Sequence, residues 1–183
     1  MKIVLGITGS SGAVYALDFL KKSQSDKFLV VSKWGKALLK DELKMSDKDL
    51  LPYVKRQFSD DDLAAPIASG SNFFDAFVIL PCSTSTIGKI ASGIGDTLIT
   101  RTAQVALKER YKLIICVRET PLSTLTLEQL AKLSSYGAII MPISSPLYFV
   151  PQSVDEYVGA FTDKVLAAIG EKRSKGWRAE EFE

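Results

Sequence analysis

Short apolar, β-branched runs alternate with longer helical stretches along almost the whole chain, and that alternation restricts the fold more than any other feature. Residues 3–8, 28–31, 76–80, 113–117 and 137–141 read as buried strands, apolar on both faces as strands covered by helices on each side must be. Between and after them, residues 13–22, 36–44, 97–110, 125–135 and 154–169 carry helical spacing. Such a βαβα order predicts an α/β fold, three layers with a parallel sheet and helices on both faces. Residues 1–170 make one domain of ordinary size, with no internal repeat or linker, and 171–183 form a mostly charged tail.

Several of the predicted strands stop at a proline: Pro81, Pro121 and Pro142. These positions are carboxyl ends of strands, and open α/β sheets bind their ligands in the crevice outside those ends. The chemistry there is restricted by composition. The chain has no histidine, which excludes a Ser-His-Asp triad, a Cys-His pair, a histidine-bearing metal site and an imidazole acid or base. Twenty-three Lys and Arg against 21 Asp and Glu leave +2, too little for a general nucleic-acid or anionic-membrane surface, so an anion site has to be local. Cys82 and Cys116 lie in or just after apolar runs and read as buried structural thiols of a reducing compartment. No run is long enough to span a bilayer and the start is unlike a signal peptide, so a cytoplasmic protein is expected.

The first strand runs into Gly6-Ile7-Thr8-Gly9-Ser10-Ser11-Gly12-Ala13. A strand-to-helix turn of this kind offers backbone N–H groups and a helix dipole to an anion. The glycine spacing is G-x-x-G-x-x-G, neither the dinucleotide fingerprint nor the Walker pattern. The end of the second strand, Val30-Val31-Ser32-Lys33, has no acidic residue for a ribose diol. A mononucleotide or flavin phosphate fits better, and a plain turn with a capping serine remains the alternative. Asp60-Asp61-Asp62 lacks the Asp-Asp-x-x-Asp pattern of metal-dependent prenyl diphosphate enzymes and reads as a solvated loop.

Further motifs follow in order: Ala68-Ser69-Gly70-Ser71, Pro81-Cys82-Ser83-Thr84-Ser85-Thr86, Arg101 and Lys108 on one helix, Cys116-Val117-Arg118-Glu119-Thr120-Pro121, and Pro146-Leu147-Tyr148-Phe149-Val150-Pro151-Gln152-Ser153. Read alone, the hydroxyls cap the next helix, Arg118-Glu119 is a surface pair, and Lys108 complements a helix dipole. Together with the glycine-serine loop, these segments closely resemble the UbiX/Pad1 flavin prenyltransferases from the first strand to about Ile169.

The resemblance implies a flavodoxin-like, Rossmann-type domain assembled as a homododecamer with FMN at subunit interfaces. It implies transfer of a dimethylallyl group from dimethylallyl monophosphate to N5 and C6 of reduced FMN, without metal, giving prenylated FMN for a UbiD-type decarboxylase in ubiquinone or aromatic-acid metabolism. By matching position, Gly9, Ser10, Ser11, Ser32, Ser83, Thr84, Ser85, Thr86 and Arg118 would contact FMN, and Tyr148 and Lys164 would hold the prenyl phosphate. Glu119 would be the acid/base, Ser11 would belong to the catalytic set, and Arg101, Lys108 and Glu42 would surround the same phosphate. The +2 total would then hide a cationic cluster of Arg101, Lys108, Arg118 and Lys164. The chain departs from relatives at Phe149, where His is common, and at Lys164, where some carry Arg. Trp177 is either a cover over the pocket, as a terminal aromatic is in relatives, or part of the tail.

That chemistry tolerates the missing histidine, because fixed cations stabilise the departing phosphate and reduced flavin is itself the nucleophile. Two rivals remain. Flavin-dependent cysteine decarboxylases share the fold but depend on a histidine and on a Pro-Ala-Ser-Ala-Asn-type loop, where this chain has Pro81-Cys82-Ser83-Thr84-Ser85. A flavodoxin-like FMN carrier would account for the hydroxyl loops and leave Arg101, Lys108, Glu119, Tyr148 and Lys164 without a role.

Overall fold

A computed structural model describes residues 1–148, 150–171 and 178. The elements run β1 (Lys2–Ile7), α1 (Ala13–Lys22), β2 (Asp26–Val31), α2 (Lys33–Leu43), a 3₁₀ segment (Asp47–Tyr53) and β3 (Arg56–Ser59). A short 3₁₀ turn (Pro66–Ala68) leads to β4 (Ala76–Cys82), α3 (Thr84–Ala91), α4 (Leu98–Glu109), β5 (Lys112–Val117), α5 (Thr124–Ser135), β6 (Ile139–Ile140) and α6 (Val154–Ile169). All pairings are parallel, in the order β3-β2-β1-β4-β5-β6. The three-layer α/β sandwich expected from the alternation is therefore the observed fold.

Alternation along the strands sorts the core into two halves. Ile3, Leu5 and Ile7 of β1, with Val78 and Leu80 of β4, pack against α1, α2 and α6. Val4, Phe77 and Ile79 face the other way, against α3, α4 and α5. Gly6 belongs to that second face, where a Cβ would lie 3.2 Å from the Phe77 ring; the bare backbone lets a large side chain fill the middle of the sheet. Both thiols are buried and free, Cys82 on the α3–α5 side and Cys116 on the α1–α6 side. Burial pushes both well up, so they stay protonated, as structural thiols do.

Differences from the sequence reading have local causes. β3 was not expected: Arg-Gln-Phe-Ser is an edge strand whose single buried residue is Phe58, too polar to register as an apolar run. α3 was foreseen only as the helix that hydroxyls would cap; Ser83 does cap it, accepting from Thr86 N at 3.3 Å. α2 starts three residues early because Ser32 accepts from Gly35 N at 3.0 Å and so fixes the first turn. β6 is two residues long where five were expected, although Met141 N and Ile143 N continue its ladder to Ile115 O and Val117 O. Among the described residues no helix is long and apolar enough to cross a membrane. Phe149, Trp177 and nearly all of the tail lie outside the described residues.

Candidate active site

The strand order reverses between β1 and β4: the chain steps outward to β2 and β3, then returns to the far side of β1. Ligands of open α/β sheets bind at such a switch point, between the two loops that leave in opposite directions. Here Thr8 joins them. Its hydroxyl donates to Pro81 O at 2.9 Å and accepts from Ser83 N at 2.8 Å, while its own N–H donates to Pro81 O at 3.2 Å. Thr8 is 2 % exposed, so these groups have no solvent alternative. Thr8→Val, of nearly the same shape, leaves Ser83 N without this partner and is expected to cost about 1–3 kcal/mol. Urea denaturation measures this, and an unchanged midpoint would mean that the hydroxyl holds nothing.

Beside this junction lies a cavity of about 580 Å³ lined by Thr8, Gly9, Ser32, Ser83, Ser85 and Thr86 among others. The first turns of three helices meet there: Ser32 to Trp34 of α2, Ser83 to Thr86 of α3, and Thr97 to Thr100 of α4. The dipoles of α2 and α3 add, and an anion is favoured where those two helix starts converge. The capping hydroxyls of Ser32 and Ser83 use an acceptor lone pair on a backbone N–H; the Ser32 O–H is left to donate, and Ser83 and Thr86, whose hydroxyls share a bond at 3.0 Å, keep one donor between them. Gly9 is needed here for a reason internal to the chain. A Cβ at residue 9 would lie 2.4 Å from Trp34 Cβ, so the bare glycine seats a tryptophan that remains 68 % exposed on the cavity wall.

The expected cradle at the start of α1 is different. Gly12 N and Ala13 N both donate to the Glu42 carboxylate, at 3.0 and 2.8 Å to Oε2. The charge that α1 attracts is thus supplied by α2, and an incoming phosphate finds its donors at the starts of α2 and α3 instead, since the first-turn N–H groups of α4 are taken by Asp60 and Thr97. Ser10 also turns away from the cavity, donating to Arg118 O at 2.6 Å, and neither Ser11, Thr84 nor Arg118 lines it.

Asp60 is a helix cap and not, as its Asp-Asp-Asp run suggests, part of a solvated loop. Its Oδ1 accepts from Ile99 N at 2.9 Å and its carbonyl from Leu98 N at 2.7 Å, fixing the start of α4 at the cavity wall. Asp62 instead closes its own turn through Ala64 N at 3.1 Å. Burial raises the Asp60 carboxyl above the ordinary range, against the lowering effect of Ile99 N and Thr97. The folded protein therefore holds this proton more tightly than the unfolded chain, and stability is lost as pH rises through that raised value. Asp60→Asn keeps an acceptor for Ile99 N without the charge. The variant is expected to gain stability relative to the parent as pH rises from about 4, the ordinary carboxylate range. Parallel stability curves in urea across that range would contradict this.

On the other side of the Thr8–Gly12 loop, Arg118 and Glu119 stand exposed just beyond β5. Thr120 N donates to Glu119 Oε1 at 3.0 Å, which holds the carboxylate. Tyr148 precedes α6 and Lys164 is half-buried on it. Arg101 and Lys108 are not with them. Both are exposed on α4, which packs on the α3–α5 face, whereas α6 packs on the α1 face. Arg101 Nε donates to Ala68 O at 3.1 Å and Lys108 pairs with Glu109. One chain therefore does not build the expected four-cation cluster, because the sheet separates its members.

Comparison with known proteins identifies the family. A family model described as Flavoprotein matches residues 1–171. Flavin prenyltransferase UbiX of Thermoplasma acidophilum is 44% identical over 171 residues, covering 93% of this chain and 95% of that protein. The chain belongs to the UbiX flavin prenyltransferase family. Among solved structures, AnUbiX (PadA1) in complex with FMN and dimethylallyl pyrophosphate is similar at a TM-score of 0.91, with 32% identity over 97% of this chain and 98% of that one. A dodecameric FMN-dependent UbiX-like decarboxylase from Escherichia coli O157:H7 gives 0.93, with 34% identity over 97% and 99%. On its own geometry the cavity of this UbiX-family chain fits FMN: its volume suits such a ligand, its polar wall is mostly hydroxyls, and the starts of α2 and α3 favour a phosphate.

Proposed function

We propose that this chain transfers a dimethylallyl group from dimethylallyl monophosphate to N5 and C6 of reduced FMN, releasing phosphate, without metal. The prenylated FMN goes to a UbiD-type decarboxylase. The chain works in the cytoplasm as a homo-oligomer, a dodecamer like its Escherichia coli relative. One observation carries the reading beyond family membership. A hydroxyl-lined cavity at the starts of α2 and α3 is separated by a single loop from the Arg118–Glu119 corner, so one ligand's phosphate and a second, reacting ligand have adjacent places.

Bound reduced FMN supplies the nucleophile. Ser32, Ser83, Ser85 and Thr86, with the bare backbone of Gly9, hold its phosphate and polyol, while Ser10 fixes the loop through Arg118 O. Arg118, Tyr148 and Lys164 hold the prenyl phosphate and stabilise it as it leaves. Glu119 takes the proton released when C6 is alkylated. Arg101 and Lys108 reach the phosphate of a neighbouring copy, since the sheet bars them from their own. Glu42 holds the Ser11–Gly12 turn through Gly12 N and Ala13 N, keeping Ser11 beside the reactants.

Anaerobic incubation with reduced FMN, EDTA and either dimethylallyl monophosphate or the diphosphate, followed by mass spectrometry, tests the reading. A flavin heavier by one prenyl unit is expected, more of it from the monophosphate. Folded, FMN-loaded protein that makes no such flavin would overturn it.

A further inference from the structure

Ser145 breaks a rule that the rest of the fold keeps. It is 6 % exposed, and its hydroxyl reaches only the Tyr15 phenol, without closing a well-aligned hydrogen bond. A buried hydroxyl left so costs stability, and in a native fold it calls for a cause. Its surroundings supply one. Ile143 N donates to Val117 O at 2.8 Å, which brings the connection between β6 and α6 alongside the end of β5. Ser10 ties the β1–α1 loop to Arg118 O there, at 2.6 Å. Tyr15, in the first turn of α1, is held edge-on to Phe161 with ring centroids 5.5 Å apart, and its ring lies 3.2 Å from where a Cβ on Gly12 would be. The phenol thereby faces the Ser145 side chain, with Arg118 and Tyr157 the charged and titratable neighbours that act on it.

Among the side chains of Tyr15, Ser145 and Arg118, donors outnumber acceptors. Two hydroxyls facing each other carry two protons, and a bond between them uses one. The Arg118 guanidinium adds only donors. Burial raises Tyr15, against the opposing pull of Ser145 and Arg118, so the phenol keeps its proton and remains a donor. An excess of donors beside a fixed cation is matched by an oxyanion with several acceptor oxygens. None of Tyr15, Arg118 or Ser145 lines the 580 Å³ cavity, so this place is separate from the one that fits FMN.

We propose that Tyr15 and Ser145 are binding residues for a phosphate monoester, that of the prenyl donor, donating hydrogen bonds to its oxygens beside Arg118. This rests on the transferase reading for the identity of the donor. The test measures binding directly, by calorimetry on Ser145→Ala and Tyr15→Phe, each of which removes one oxygen. Dimethylallyl monophosphate and inorganic phosphate are titrated into FMN-loaded protein, and FMN and riboflavin into flavin-free protein. In each variant, affinity for the prenyl phosphate and for inorganic phosphate is expected to fall about tenfold, with FMN and riboflavin unchanged. Donor affinity equal to the parent's, or no donor binding by the parent, would overturn the proposal; a buried water would then be what satisfies Ser145. Loss of FMN relative to riboflavin would overturn it too, by assigning the pair to the flavin phosphate. If the variants lose the donor but the parent makes no prenylated flavin, the binding pair stands and the transferase reading falls. If the parent makes it and the variants bind the donor normally, the reverse holds.

Discussion

Glu119→Gln is expected to slow flavin prenylation in a single turnover by about 10²–10⁴-fold, the usual contribution of a positioned acid or base, with FMN affinity unchanged. The substitution is clean because of what holds the side chain. Glu119 Oε1 accepts from Thr120 N, and the amide oxygen of glutamine can accept the same bond. The residue is exposed, so no buried charge is left unpaired by the change. What glutamine cannot do is take a proton. Substitution at C6 must release one, and the histidine-free chain offers no imidazole for it. Rapid mixing of FMN-loaded protein with dimethylallyl monophosphate under reducing conditions, followed by quenching and mass analysis, gives the rate. A parent-like rate would remove Glu119 from the proton transfer. A rate loss accompanied by equal loss of FMN would assign the residue to binding instead.

The sheet was legible because its central strands are buried on both faces and must be apolar throughout; β4 is buried at all seven positions. The same logic hid β3. An edge strand contacts one neighbour and half a core, so Arg56, Gln57 and Ser59 carry no signal, and only pairing with β2 reveals the element. Its position matters for function, since it delivers Asp60 to the start of α4. No local pattern marks Asp60 either: its partners, Leu98 and Ile99, stand almost forty residues on, and an Asp-Asp-Asp run looks solvated whatever one of its members does.

At the site, residue types were easier to read than the allocation of their bonds. The glycine-serine loop was recognisable, but a sequence gives no means of knowing that Glu42 occupies the start of α1 or that Gly9 is bare for Trp34. Thr8 sat inside the recognised motif, and its role as the link between two loops depends on a strand order that only the structure supplies. The separation of Arg101 and Lys108 from Lys164 has the same origin. Helices α3, α4 and α5 cover one face of the sheet and α1, α2 and α6 the other, and matching by position along the chain does not record which.

That separation leads to the other large effect. Arg101→Ala and Glu119→Gln proteins, each made alone, are expected to lose most activity, and oligomers co-expressed from equal amounts of both are expected to recover it in part. The size of the recovery follows from counting. On the proposed reading, each site takes Glu119 from one copy and Arg101 from a neighbour. In a randomly mixed assembly the first copy has an intact Glu119 half of the time, and the neighbour an intact Arg101 half of the time. About a quarter of sites are then whole, so about a quarter of parent activity returns, as a shared site in a closed symmetric oligomer requires. If Arg101 served its own chain's site, every chain would carry one defect and no mixture could exceed the better single variant. Lys108→Ala with Glu119→Gln should behave in the same way, since residues 101 and 108 share the exposed face of α4. Arg118→Ala with Glu119→Gln should not complement, because those neighbours leave β5 together and serve one site. The contrast between the two pairings separates a site shared across copies from a general effect of mixing damaged chains.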